Sequence, residues 1–340
     1  MSRRVIPGLE APDPGLERDI RARLDQVEEA LEKAVRADSN LLGETAQYLL
    51  SAGGKRFRPI LTLLSGYFGD PADPRLIPGS VAIELVHQAT LYHDDVIDEA
   101  DARHGVPAAN VRWSNTVAIL TGDYLFAKAS EISTDLGTDI CALLARTIAV
   151  LCDGQIREVE AAGRVEQTVD AYMEIIRRKT GALIATSCRL GGMLSDAPAE
   201  SVDVLEQFGE ALGLAFQLSD DIMDFTSTKQ ELQKQPGQDL KEGVYTFPVL
   251  HALVDGERAE ELGAILRSGP PEGPELERAL AIIHSSESLS VARAAVVAEV
   301  DLAHGLASRL PVGPARAALE QLAEFLATRC GARQGGAADS

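Results

Sequence analysis

The chain of 340 residues lacks any apolar run of the ~20 residues that a membrane-spanning helix needs. It is short of positive charge: 32 Lys and Arg stand against 52 Asp and Glu, a net charge of −20. A surface this acidic is a poor general partner for nucleic acid or anionic membrane, so any phosphate chemistry must come from a local basic pocket. Cysteine is scarce. Cys141, Cys152, Cys188 and Cys330 are far apart and sit within apolar or helical patterns, which reads as small core residues in a reducing cytosol. The start, Met1-Ser2-Arg3-Arg4, is basic, but Pro7, Glu10, Pro12, Asp13 and Pro14 follow where a signal peptide would be apolar. A soluble cytoplasmic protein is the expectation. Strand-type alternation is nearly absent, and no short-period repeat stands out.

What the chain does have is helical spacing. Leu16, Ile20, Leu24, Val27, Leu31 and Val35 recur every three or four residues, and the same period returns over 77–98, 116–135, 140–160, 169–194 and 202–224. It continues through 249–253, 259–266, 276–284 and 290–310. Gly and Pro punctuate 52–54, 69–78, 105–107, 236–237, 268–274 and 311–314. The expected fold is all-α: a flexible arm over 1–16, one helical domain over 17–330, and a disordered tail over 331–340.

Two clusters carry the chemistry. Asp94, Asp95 and Asp98 lie at the end of an apolar helical run, with Asp94 and Asp98 ~40° apart around the helix. Asp220, Asp221 and Asp224 repeat that spacing. Three carboxylates on one helix patch repel one another unless a cation binds them. Two such patches facing each other across a bundle interior suit Mg²⁺, which takes a few carboxylate oxygens and leaves positions for phosphate. Gly53-Gly54-Lys55-Arg56-Phe57-Arg58-Pro59 adds a candidate diphosphate cradle, with glycines that let backbone approach an anion. Arg103, Lys179-Thr180-Gly181 and Lys234 are further cationic candidates. His87 lies seven residues before Asp94, on nearly the same stripe of its helix.

These motifs, with Gly122-Asp123-Tyr124-Leu125 and Phe216-Gln217-Leu218-Ser219 leading into the second cluster, resemble the trans-type polyprenyl diphosphate synthases. The likeness is close over roughly residues 40–255. It implies an isoprenoid-synthase-type helical bundle around a central cavity, usually a homodimer. It further implies that two or three Mg²⁺ ions are held by Asp94, Asp95, Asp98, Asp220, Asp221 and Asp224. Arg103, Lys179, Thr180, Gln217 and Lys234 would assist on the allylic diphosphate, and Lys55, Arg58 and His87 would hold isopentenyl diphosphate. The family usually has Arg where His104 stands, and often a Lys in the segment that reads Glu242-Gly243-Val244 here.

Short-chain members often place aromatic rings at the positions of Ala89 and Thr90, one turn before Asp94. Ala and Thr leave that path open, so the expected product is a long all-trans polyprenyl diphosphate, as in quinone side chains. Membrane contact is expected to be peripheral at most, for product release. The competing readings are a shorter-chain synthase and a class I terpene cyclase. A regulatory subunit of a heteromeric synthase and an HD-type phosphohydrolase built on His87, His93 and Asp94 complete the set.

Overall fold

The computed structural model describes residues 13–103, 105–226, 236–255 and 257–333. Its described parts fall into two compact units, each drawing on three stretches of chain. Unit one comprises Met1–Ala149, Leu183–Gly209 and Ala307–Leu319; unit two comprises Val150–Ala182, Glu210–Leu306 and Glu320–Ser340.

Unit one is built around α4 (Leu76–Ile97), whose residues from Val81 to Val86 are all buried. α1 (Pro14–Ala34), α3 (Phe57–Ser65) and α6 (Asn115–Leu136) pack against it, and α2 (Asn40–Ala52) packs on α6. The Asp13 side chain caps α1 by accepting the N–H of Gly15 and Leu16, with Pro14 in the first turn. The helix therefore begins before residue 16, and the remainder of the expected arm, 1–12, lies outside the described residues. Tyr92, fully buried on α4, donates its hydroxyl to the Thr45 carbonyl and accepts the Leu49 N–H at 3.3 Å, tying α2 to α4. The only strands among the described residues are Ala102–Arg103 and Val106–Pro107, an antiparallel hairpin that pairs Arg103 with Val106.

α9 (Ala182–Leu194) crosses α3 at Gly191, where an added Cβ would fall 2.1 Å from the Thr62 carbonyl oxygen. Thr62 donates its hydroxyl to the Ser187 carbonyl at 3.0 Å across the same crossing. Backbone cannot yield as a side-chain tip can, so Gly191→Ala should cost about 1–3 kcal/mol. Urea unfolding measures it as a lower midpoint at unchanged slope. A loss under about 0.5 kcal/mol would refute so close a crossing.

In unit two, the helix Phe247–Asp255 packs on α8 (Val169–Ile176), Ala259–Arg267 and Gly273–Ser285. The run expected as one helix over 169–194 is broken at Arg177–Gly181 by a π-helical turn, a feature that recurs at functional sites. The start of the expected tail is anchored: Arg333 pairs with Glu324 at 2.6 Å and with Asp301. Cys188 and Cys330 are buried and Cys141 is half-buried, but Cys152 is exposed, so the core reading fails there. All four are free thiols. No single described helix is long and apolar enough to cross a membrane.

Candidate active site

The first aspartate cluster occupies the end of α4. Asp94 and Asp95 lie in its last turn, and Asp98 is the C-cap residue, its N–H donating to the Asp94 carbonyl at 2.8 Å. Carboxylates at a helix C-terminus oppose the macrodipole as well as one another, so the site is built to need positive charge. Asp95 is fully buried and accepts from Arg103 Nε at 2.7 Å. The hairpin that delivers Arg103 is pinned by Tyr48, whose hydroxyl donates to the Pro107 carbonyl at 2.9 Å. Arg112 in turn lies over the rings of Tyr48 and Trp113, at 4.4 and 4.7 Å. Asp94 is half-buried and Asp98 exposed. His87 and Thr90 are half-buried on the stripe that leads to Asp94, whereas Ala89 is fully buried. Gly122 of α6 makes room for His93: a Cβ there would sit 2.3 Å from His93 Nε2.

The glycine-rich loop divides its cations. Lys55 is exposed. Arg58 is half-buried, and its Nε is buried with no hydrogen-bond partner. Burial pushes its pKa down to about 10, against the pull of Glu84. Arg56 does not belong with them. Its guanidinium is buried and donates to Glu28, Glu84 and the Leu50 carbonyl. Of the three cations in the candidate cradle, Lys55 and Arg58 are left for an anion.

The second cluster sits in the last two turns of α10 (Ala199–Thr226), again at a C-terminal end. Asp221 is 1% exposed, accepts the Tyr172 hydroxyl, and accepts Gln217 Nε2 at 3.1 Å. Burial, reinforced by the charges of Asp220 and Asp224, pushes its pKa up to about 7 although both donors pull it down. Thr180, on the π turn, donates to Gln217 Oε1 at 2.9 Å, so one chain of hydrogen bonds links the turn to Asp221. Asp224 accepts the N–H of Gln238 at 3.2 Å. Lys179 pairs with Glu158. An added Cβ at Gly154 would meet the Lys179 nitrogen at 2.7 Å, so glycine lets α7 (Thr138–Ala161) approach the turn. Lys234 and His104 lie outside the described residues. Val244 is half-buried, its N–H donating to the Asp239 carbonyl at 2.8 Å.

Sequence reasoning missed Arg329. From the end of the helix Pro314–Arg329 it meets Asp220 Oδ1 at 2.5 Å, Ser219 Oγ at 2.6 Å and the Phe216 ring at 4.7 Å. Tyr172, Glu158 and Glu84 were missed as well. None lies in a motif that could have singled it out.

Among the described residues, no three His, Cys, Asp or Glu side chains converge into a ready-made metal cage. The donors are nonetheless hard oxygens in like-charged clusters. A cation that shares its coordination with substrate phosphates asks only one or two carboxylates of the protein. The residues present fit such a divalent ion.

Residues 39–283 match the polyprenyl synthetase family. The chain belongs to that family. It is 37% identical over 329 residues to the nonaprenyl diphosphate synthase of Mycobacterium tuberculosis, covering 96% of this chain and 98% of that one. The crystal structure of a decaprenyl diphosphate synthase from Rhodobacter capsulatus is similar at a TM-score of 0.86 and 33% identity, over 92% and 98% of the two chains. A geranylgeranyl pyrophosphate synthase from Corynebacterium glutamicum, crystallised with calcium and isoprenyl diphosphate, is similar at 0.84 and 41%, over 94% and 99%. This polyprenyl synthetase is an all-α prenyltransferase.

Proposed function

We propose that this prenyltransferase condenses an allylic diphosphate with successive molecules of isopentenyl diphosphate into an all-trans chain of C30 or longer. The observation that carries the reading is the placement of both aspartate clusters at helix C-terminal ends, where each needs a cation. Asp94, Asp95 and Asp98 would hold Mg²⁺ on the allylic diphosphate, and Asp220, Asp221 and Asp224 a further Mg²⁺. Bound there, Mg²⁺ neutralises the diphosphate and makes it a good leaving group.

Arg103, Lys179, Thr180, Gln217 and Lys234 assist on that diphosphate, which gives Lys179 a new partner in place of Glu158. Lys55, Arg58 and His87 hold the diphosphate of isopentenyl diphosphate, and His104 stands in the sequence where the family usually has an arginine that contacts it. The allylic C–O bond breaks with both electrons leaving on the diphosphate, whose charge the cationic side chains absorb. The π pair of isopentenyl diphosphate then forms the new C–C bond, and a proton passes from the adduct to the departed diphosphate. No side-chain base is required, and apolar walls keep water from the cation.

The protein acts as a homodimer in this reading. Ile119 and Leu120 of α6, 42% and 58% exposed, give a second copy apolar surface to cover. Light scattering reads this directly as twice the 36.3 kDa chain mass. The deciding assay incubates purified protein with Mg²⁺, farnesyl diphosphate and labelled isopentenyl diphosphate. Prenyl alcohols of C30 or longer after dephosphorylation are expected. Shorter products only would overturn the chain length, and no incorporation by folded protein would overturn the activity.

A further inference from the structure

Arg56 is 4% exposed and Glu84 2%. The Arg56 guanidinium donates from Nε to Glu28 of α1 at 2.9 Å and from Nη1 to Glu84 of α4 at 3.2 Å. From Nη2 it donates to the Leu50 carbonyl near the end of α2 at 2.9 Å. One side chain thus ties three helices to the loop. Its backbone is left-handed, with φ 49° and ψ 41°, a conformation that a residue with a Cβ adopts rarely and keeps when its surroundings hold it. Gly54 serves the same end, because an added Cβ there would fall 2.8 Å from Arg56 Nη1.

The consequence lies two residues on. Arg58 sits in the first turn of α3, close enough to Glu84 for its charge to be felt, yet its buried Nε has no partner. Glu84 accepts from Arg56 and, at 2.9 Å, from Gln88 Nε2. Both bonds fall on Oε1, and the Arg56 guanidinium balances the carboxylate's charge. We infer that Arg56 is a positioning residue: by occupying Glu84 it keeps Arg58 free for the diphosphate of isopentenyl diphosphate. Without it, Arg58 would swing onto the buried carboxylate, the nearest anion left uncompensated. The inference rests on the proposed role of Arg58, and predicts that deleting the carboxylate repairs the loss of the arginine.

The test compares Arg56→Gln, Arg56→Gln/Glu84→Gln and Arg58→Ala, each checked for folding by circular dichroism. Arg56→Gln should raise KM for isopentenyl diphosphate by about tenfold, with kcat and the allylic KM within about threefold of wild type. The double variant should return that KM to within about threefold of wild type. Thermal stabilisation by inorganic diphosphate, read without turnover, should be lost and regained in the same order. A merely structural Arg56 would leave the double variant no better than the single, and that result overturns the inference. If Arg58→Ala leaves KM for isopentenyl diphosphate unchanged, the proposed role of Arg58 falls instead. Should Arg56→Gln fail to fold, Arg56→Lys keeps the charge but not the planar fork. A KM for isopentenyl diphosphate that rises in that variant and is not brought back by adding Glu84→Gln overturns the inference.

Discussion

Without metal, the protein loses stability as pH rises through about 7, and Asp221→Asn removes that loss. The folded pKa of Asp221 is raised from 3.8 to about 7, so between those values the folded state holds a proton that the unfolded chain releases. Stability from this group is therefore fully present below the unfolded pKa and disappears as pH climbs through the folded one. Burial is the first cause, and the charges of Asp220 and Asp224 add to it. Asn carries no titrating proton, yet keeps an oxygen for the Tyr172 hydroxyl. Melting curves in chelator across this pH range should slope downward in wild type and lie flatter in the variant. Saturating Mg²⁺ takes the place of the proton and flattens the wild-type profile as well. Turnover of the variant should fall by about 10²–10³, the scale of a lost electrostatic contact to the developing charge. Equal slopes in the two metal-free proteins would sink the assignment of a buried, protonated Asp221.

The helices whose apolar stripe is long and contrasted were legible in the sequence, as α4, α6 and α7 show. α3 was not, because seven of its nine residues are buried and a helix buried all round has no stripe. The helix Pro314–Arg329 escaped for the opposite reason: much of its buried face is alanine, at 315, 318, 323 and 327, which contrasts weakly with its surroundings. The π turn at Arg177–Gly181 leaves the apolar period on either side intact, so spacing alone ran α8 and α9 together.

The site divides in the same way. Aspartates at fixed spacing on one helix are a local pattern and can be read directly. Their partners are not local, for Arg329 reaches Asp220 across 109 residues and Tyr172 reaches Asp221 across 49. Arg56 shows the complementary error. Its neighbours in sequence put it inside a candidate diphosphate cradle, whereas its neighbours in space, Glu28 and Glu84, make it a peg.

Thr90→Phe should shorten the product below C30 while sparing the first condensation. Thr90 lies one turn before Asp94, ~6 Å along the helix, and is half-buried on the stripe that ends at the aspartates. Its hydroxyl is spent on the His87 carbonyl at 2.7 Å, so only the methyl group is left to meet a growing chain. A ring at this position fills space that a short allylic tail does not reach and a long one must cross. The side chain makes no hydrogen bond to Asp94 in wild type, so substitution leaves the ionising end of the substrate in place. Turnover with the first isopentenyl unit should therefore stay within about fivefold, while the product distribution, read by chromatography after dephosphorylation, moves to fewer units. Thr90→Ala is the control and should leave the distribution unchanged or longer. An unchanged distribution in Thr90→Phe would move the floor elsewhere, with the buried Ala89, Val86, Ile83 and Ala82 of α4 next in line. Loss of the first condensation in a folded variant would mean the ring enters the diphosphate pocket, and the tail would then have to run along some other face of the helix.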